Sequence, residues 1–314
     1  MNRRLMFLLG AVLSWSVLAA GGAAADVWPQ WRGPESNGVA AAGDYPVKFS
    51  GDENCQWKIA LPGLGMSTPA VWDDRIIVTC GIDGRDAVVA YDFTGAEKWR
   101  RILAEERSGK HQHGSGSNPS PVTDGKRVVA YFKSGTLACF DLDGEPQWQV
   151  NIQDEHGPDT LWWDLGSSPV LAGDRVIVAV MQSGDSYLAA YNLADGKLAW
   201  KQARQYERPV ESDHSYTTPQ AASIDGREVL VTLGADYLTG HDAATGQLLW
   251  ELGGFNPRDE PNWRVIASPA VGGDLVLAPF GRGRFLAAVR INGNQAAEAW
   301  RRGDDERGIG ADVP

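Results

Sequence analysis

One phrase recurs along this chain and leaves few folds open to it. AATGQLLW, from Ala243 to Trp250, has counterparts in AYDFTGAEKW ending at Trp99, CFDLDGEPQW at Trp148, AYNLADGKLAW at Trp200 and AVRINGNQAAEAW at Trp300. Counting from Trp57, the tryptophans stand 42, 49, 52, 50 and 50 residues apart. A second marker keeps step with them: Thr68-Pro69, Ser120-Pro121, Ser168-Pro169, Thr218-Pro219 and Ser268-Pro269. These prolines precede the next tryptophan by 30, 27, 31, 31 and 31 residues. Two landmarks holding phase in this way define a repeat of about 50 residues.

Each copy reads as β-structure. After the Ser/Thr-Pro comes a short apolar strand, then a polar turn, then one of the runs RIIVTC, RVVAYF, RVIVAV, EVLVTL and LVLAPF. Such β-branched runs have the composition of buried strands. A third strand such as TLACFD or SYLAAYN follows, and the turn at Gly95, Gly144, Gly196 or Gly246 leads to a fourth ending at the tryptophan. The prolines fall at strand starts, where a missing N–H costs least, and no window carries a helical period. Four antiparallel strands per unit, repeated head to tail, specify an all-β chain: a β-propeller of four-stranded antiparallel blades. A blade cannot bury both faces alone, so it stacks on its neighbours. Trp57, Trp99, Trp148, Trp200, Trp250 and Trp300 are expected to fill the wedges between blades. The repeats run over 57–314, with complete blades expected at 58–99, 100–148, 149–200, 201–250 and 251–300. Residues 26–56 lead into the strand closed by Trp57, and 301–314 read as the start of a truncated further blade. Five complete repeats and an incomplete ring are the expectation.

The N-terminus reads as an address. Arg3 and Arg4 precede an apolar stretch from Leu5 to Ala20 and the small residues Ala23, Ala24 and Ala25, which marks 1–25 as a secretory signal peptide. Ser14 and Ser16 interrupt a stretch already short for a bilayer span, and no later segment offers a transmembrane helix. Cleavage takes the net charge from -11 to -13 by removing the two arginines. The expected location is the periplasm or cell envelope, and so acidic a chain is a poor match for nucleic acid or an anionic membrane surface. Three cysteines in an oxidising compartment cannot all pair. Cys139 takes the slot of Ala90 and Ala190 and reads as a small buried filler, while Cys55 and Cys80 are either a disulfide or two buried thiols.

The phrase Ala-x-Asp-x-x-Thr-Gly-x-x-x-Trp resembles the tryptophan-docking motif of the pyrroloquinoline-quinone (PQQ) propellers. That group takes in quinoprotein alcohol dehydrogenases and a non-catalytic outer-membrane assembly lipoprotein. GHDAATGQLLW fits it, AYNLADGKLAW fits with Asn192 in the acid's place, and AYDFTGAEKW is one residue short. AVRINGNQAAEAW departs furthest, with Arg290 where the acid belongs. WPQWRGPESNGV, from Trp28 to Val39, is similar to the opening of exported bacterial PQQ-binding-like propeller repeat proteins. The resemblance covers nearly all of the mature chain and implies rings of seven or eight blades. The dehydrogenases resemble one another in an adjacent Cys-Cys pair beside the quinone, and some carry a CxxCH haem site; this sequence has neither. Their calcium ligands and catalytic acid match no motif position here, and none is carried over.

Function on a propeller is sought where the copies diverge, because every blade meets the same scaffold demands. Five residues before each marker proline stand Leu64, Gly116, Asp164, His214 and Arg264; one step earlier stand Gly63, Ser115, Trp163, Asp213 and Trp263. Three copies therefore offer Trp-Asp, Asp-His and Trp-Arg to one central region. Trp163 and Trp263 have faces for a planar ligand or a sugar, and Arg264 has a fork for a carboxylate. Asp164, Glu211 and Asp213 are oxygen donors suited to calcium. Asp164, Asp213 and His214 are the catalytic candidates, with Asp164 better placed than Asp213 to partner His214 in extended chain. The bland alternative, cross-mouth salt bridges, fits the same residues. His111 and His113 form a His-x-His pair, half a zinc or copper site, in a Gly/Ser-rich loop where a solvated pair is the commoner outcome. GRGR, from Gly281 to Arg284, reads as a turn between strands, and there is no phosphate-binding loop, dinucleotide fingerprint or serine elbow. The reading that results is an exported, non-catalytic binding or scaffold module, offering its loop face or blade edges to a protein partner. No cofactor is assigned. The alternative is a PQQ- and calcium-dependent oxidoreductase acting on alcohols or sugars.

Overall fold

The β-branched runs and turn glycines fold into five four-stranded antiparallel sheets, each a meander in chain order. The computed structural model describes residues 27–112, 114–280 and 284–303. The expected signal peptide, His113, most of the Gly281–Arg284 turn and the chain beyond 303 lie outside the described residues. The first sheet is β1 (Ala70–Trp72), β2 (Arg75–Ile82), β3 (Arg85–Tyr91) and β4 (Glu97–Glu105). The second is β5 (Val122–Thr123), β6 (Arg127–Tyr131), β7 (Thr136–Asp141) and β8 (Pro146–Asn151). The third is β9 (Val170–Ala172), β10 (Arg175–Val180), β11 (Tyr187–Asn192) and β12 (Leu198–Ala203). The fourth is β13 (Gln220–Ile224), β14 (Arg227–Gly234), β15 (Tyr237–Asp242) and β16 (Leu248–Leu252). The fifth is β17 (Ala270–Gly272), β18 (Leu275–Phe280), β19 (Phe285–Asn292) and β20 (Gln295–Arg302). Every first strand starts on the residue after its marker proline.

The cores lie between sheets. Ile77 and Val88 pack with Val128 and Phe140 between the first and second. Val129 and Leu137 pack with Val176 and Tyr187 between the second and third. Ile177 meets Leu230 between the third and fourth, and Leu233 meets Phe285 between the fourth and fifth. At roughly 1.5–3 kcal/mol for each large apolar side chain taken from water, these faces hold the stack together. The innermost strands β1, β5, β9, β13 and β17 neighbour one another in that order around an axis.

The turn phrase has a local explanation. Asp92 Oδ1 accepts the amides of Thr94 and Ala96, and Asp242 Oδ1 accepts those of Ala244 and Thr245, so the acid ties each turn together. The preceding unit's indole then lies on the turn glycine and donates to the carbonyl that follows the acid. Trp99 Nε1 donates to Leu142 at 2.9 Å, Trp148 Nε1 to Leu193 at 2.9 Å and Trp200 Nε1 to Ala243 at 3.3 Å. Gly196 has a φ of +69°, and a Cβ there would stand 2.6 Å from the Trp148 ring. Only glycine tolerates both conditions.

Five expectations need correction. The fourth strands do not end at the tryptophan: it is the third residue of β4, β8, β12 and β16. Each ladder shifts register beside it and continues, as in Val88 with Arg101 and Leu188 with Gln202, because the third strand still has unpaired length. Trp57 closes no strand; it lies in irregular chain, though its Nε1 still reaches Phe93 O at 2.6 Å. Trp250 turns onto Gly240 of its own sheet rather than onto the next turn, where Asn292 pairs directly with Gln295 in a two-residue hairpin. A one-turn helix, α1 (Ile152–His156), follows β8, capped by Asn151 Oδ1 accepting from Gln153 and Asp154. The cysteines are all free: Cys139 and Cys80 are buried, but Cys55 is exposed, so neither the disulfide nor a pair of buried thiols forms at Cys55 and Cys80.

Candidate functional site

The Ser/Thr before each marker proline does more than start a strand. Thr68 N donates to Ser120 Oγ at 2.9 Å, Ser120 N to Ser168 Oγ at 2.9 Å, Ser168 N to Thr218 Oγ1 at 3.0 Å and Thr218 N to Ser268 Oγ at 2.8 Å. A girdle of hydroxyls thus joins the five sheets around the axis, each bond satisfying a backbone donor that the strand ladder leaves over. The pattern carried this signal, since only Ser or Thr occupies the column, but the hydroxyl's role needs the neighbouring blade to be seen.

Below the girdle the segment from Trp28 to Glu35 straps the axis. Trp28 bridges Val71 of the first sheet, Thr123 N of the second donates to Pro29 O, and Gln220 of the fourth donates to Glu35 O. The Arg32 guanidinium donates to the carbonyls of Ser268 and Pro269 at the fifth and lies 4.3 Å from the Trp31 ring centre. The strap leaves a funnel of about 350 Å³ whose lining includes Trp31, Met66, Trp163, Asp164, Arg264 and the five girdle residues.

Of the residues singled out in the sequence, Trp163, Asp164 and Arg264 line this funnel, whereas Trp263, Asp213 and His214 do not. Trp263 packs against Phe280 at 5.7 Å, because its neighbour Arg264 faces the axis and successive residues of extended chain point apart. Arg264 is committed to Glu211 at 3.1 Å, and Glu211 also accepts the Trp163 indole N–H at 2.7 Å. Asp164 is committed to Lys133, whose Nζ lies 2.5 Å from its Oδ1 and 2.8 Å from Ser108 O. The two side chains are only 1% and 6% exposed. Desolvation pulls the Asp164 carboxyl upward, but the Lys133 ammonium and the Lys110 and His111 amides outweigh it and hold it below the usual range.

The expected acid–base and metal groupings do not form. His214 is fully buried, with Nε2 2.8 Å from Ser183 Oγ and 3.6 Å from Asp213 Oδ1, so its carboxylate neighbour is Asp213 and not Asp164. The chain from Pro209 to Asp213 is a turn, closed by Ser212 N donating to Pro209 O, and the opposite pointing of extended chain does not apply. Burial lowers the His214 pKa, with Asp213 and Glu211 opposing. Asp164, Glu211 and Asp213 turn to three different partners, and among the described residues no three His, Cys, Asp or Glu side chains converge on an ion position. His111 stands edge-on to Trp163 at 6.2 Å; its partner in the His-x-His pair, His113, lies outside the described residues. Lys133, Trp31 and Tyr216, whose hydroxyl accepts the Trp163 amide, are site residues that the sequence did not single out.

Comparison with known proteins agrees with this architecture. The chain is 24% identical over 255 residues to the outer membrane protein assembly factor BamB of Burkholderia pseudomallei (strain K96243), covering 77% of this chain and 60% of that protein. To the protein of that name from Bordetella pertussis (strain Tohama I / ATCC BAA-589 / NCTC 13251) it is 25% identical over 194 residues, 62% of this chain and 43% of that one. It therefore spans less than two thirds of the length of these curated relatives. Among solved structures, BamB from Moraxella catarrhalis superposes with a TM-score of 0.51 at 16% identity, covering 79% of this chain and 64% of that one. Quinohemoprotein alcohol dehydrogenase from Comamonas testosteroni gives a TM-score of 0.59 at 13% identity, covering 77% and 43%. At such identities the two structures speak for the fold alone. The profile of one family matches residues 47–184 and again 165–308, and on that match the chain belongs to the PQQ-like propeller family described as outer membrane protein assembly factor BamB.

Proposed function

We propose that this protein is an exported, non-catalytic propeller of the cell envelope that binds a protein partner through the loop face around its funnel. One observation carries the reading: the reactive side chains of that face are consumed by one another, while its apolar ones are left to solvent. Lys133 holds Asp164, Glu211 holds Arg264 and His214 is buried. Trp162 and Trp163, by contrast, are 50% and 42% exposed, and Leu64 and Met66 are also open. Half-exposed tryptophans are typical anchors of protein interfaces. The acid excess of the chain favours a partner with a neutral or basic surface. Its relatives' name, outer membrane protein assembly factor, supports an assembly role in the same compartment.

The donor set does not suit PQQ with calcium. The three carboxylates that would hold the ion face three ways, and Arg264 already answers a carboxylate. No step of quinone chemistry is derived for this chain.

The test is capture of envelope proteins on immobilised mature protein, comparing wild type with Trp162→Asp and Leu64→Asp. Both residues are exposed, so the variants should keep the wild-type circular dichroism. A defined partner retained by wild type and released by both variants is the expected result. Equal capture by all three proteins, or dye-linked oxidation of an alcohol by wild type supplied with PQQ and calcium, would sink the proposal.

A further inference from the structure

The girdle hydroxyls have a second valence. Ser120, Ser168, Thr218 and Ser268 each accept an amide N–H through the hydroxyl oxygen, and none has an acceptor for its own O–H among the described residues. All four line the funnel. Their protons are therefore free to be donated inward, as a ring of neutral donors around the axis.

Three ligand classes fit that ring poorly. An anion would enter a wall whose one lining cation, Arg264, is already neutralised by Glu211, with Lys133 behind the wall neutralised by Asp164, in a protein of net charge -11. A metal cation finds no converging donor set among the described residues. A wholly apolar molecule would cover the four O–H groups without answering them, which costs free energy at each one. The class that remains is uncharged, carries acceptor oxygens at its edge and presents an apolar face to indole. The funnel supplies that indole twice, in Trp31 at the strap and in the half-exposed Trp163 on the wall, with Met66 and Ile266 beside them. Arg32 and Arg264 stand against these two rings at 4.3 and 5.6 Å, which fixes their orientation. The volume of about 350 Å³ is at the small end of ligand pockets.

We propose that the axial funnel is a binding site for a neutral saccharide of one or two rings, stacked on an indole and hydrogen-bonded at its edge by the Ser/Thr girdle. The strap closes the end of the funnel at Trp31, so the sugar enters from the loop face. Trp163 and Met66 serve both readings, but Trp162 and Leu64, the positions varied to test partner binding, lie outside the lining, so the two readings can fail separately.

The experiment is titration of the mature chain with glucose, maltose and cellobiose, and with terephthalate as a planar anion, read by tryptophan fluorescence and calorimetry. At least one neutral sugar should give a saturable change by both methods. Trp163→Ala should abolish it, Trp163→Phe should retain it in part, and Trp162→Ala should leave it unchanged, all with native circular dichroism. Absence of saturation with every sugar, a response to terephthalate alone, or sugar binding that survives Trp163→Ala overturns the proposal. A sugar site with no captured protein, or the reverse, separates this inference from the proposed function.

Discussion

Replacing Lys133 by methionine is the sharpest test of the charge arrangement at the funnel. The ammonium is 1% exposed and touches two acceptors, Asp164 Oδ1 at 2.5 Å and Ser108 O at 2.8 Å. Methionine has a similar length and no charge, so the loss is electrostatic and leaves the Asp164 carboxylate buried without its cation. Breaking a buried pair from one side costs about 3–5 kcal/mol. The amides of Lys110 and His111 still bind the carboxylate in the variant, which places the cost near the lower end, about 3 kcal/mol. Thermal unfolding should then fall by roughly 6–12 °C, at about 2–4 °C per kcal/mol for a chain of this size. Asp164→Asn should cost a similar amount, since it strands the ammonium, and the double variant should fall short of the sum by about 2–3 kcal/mol. The pH dependence has a fixed sign. The folded Asp164 pKa lies below its unfolded value, so the stabilisation is complete above the ordinary carboxyl range and is lost as pH falls through the folded value. The Lys133→Met penalty should accordingly be full at pH 7 and shrink in acid. Urea and thermal unfolding measure all of this, and a Lys133→Met protein within about 0.5 kcal/mol of wild type at pH 7 refutes the buried pair.

Two further outcomes follow from turns and buried acids. Gly196→Ala and Gly226→Ala both place a side chain at positive φ, +69° and +76°, which costs about 1–2 kcal/mol in each. Only Gly196 also faces an indole, so Gly196→Ala should lose about 1–3 kcal/mol more and shift Trp148 emission; equal losses in urea would show that the indole does not rest there. Asp86 is buried, and desolvation, with Glu106 nearby, pushes its pKa up to about 7 although Ser134 donates to it. A carboxyl whose folded pKa is raised contributes stability below its unfolded value and loses it as pH rises through the folded one. Asp86→Asn should therefore unfold like wild type near pH 3.5, below the unfolded carboxyl value, and later than wild type at pH 8.5, by at most about 4 kcal/mol. A difference that does not change between the two pH values removes Asp86 as the titrating group.

The fold was legible because its demands repeat. Trp99, Trp148 and Trp200 each need a glycine turn at nearly the same distance along the chain, and each Ser/Thr-Pro pair meets the same neighbour, so periodicity alone exposes them. Trp250 shows the limit: its phrase is among the best preserved, yet its ring goes elsewhere because the partner turn in the next copy is degenerate. A docking residue is half of an interaction, and its own copy says nothing about the other half. The site was legible only in part for a related reason. Counting back from the prolines found Trp163, Asp164 and Arg264, but extended chain alternates, so Trp263 went to the core. Lys133 sits in an ordinary polar hairpin and becomes a site residue only when its blade meets the loop carrying Asp164, 31 positions on.

The girdle explains why uniform and unequal residues occupy one funnel. An amide at the head of each first strand points at the next blade, and any blade that fails to offer a hydroxyl leaves that donor buried and unpaired. The column is thus confined to Ser or Thr whatever the protein binds, and the hydroxyl proton left over is a by-product of scaffold chemistry. The wall above it carries no such constraint and differs from blade to blade: Met66 and Asn118 come from the first two, and Trp163, Asp164, Tyr216 and Arg264 from the next three. A ligand in the funnel therefore meets donors all round, an indole at the strap end and, on the wall, aromatic surface on one side only. That asymmetry fixes how a flat molecule lies, and it makes Trp163, with no counterpart in the neighbouring blades, the residue on which recognition turns.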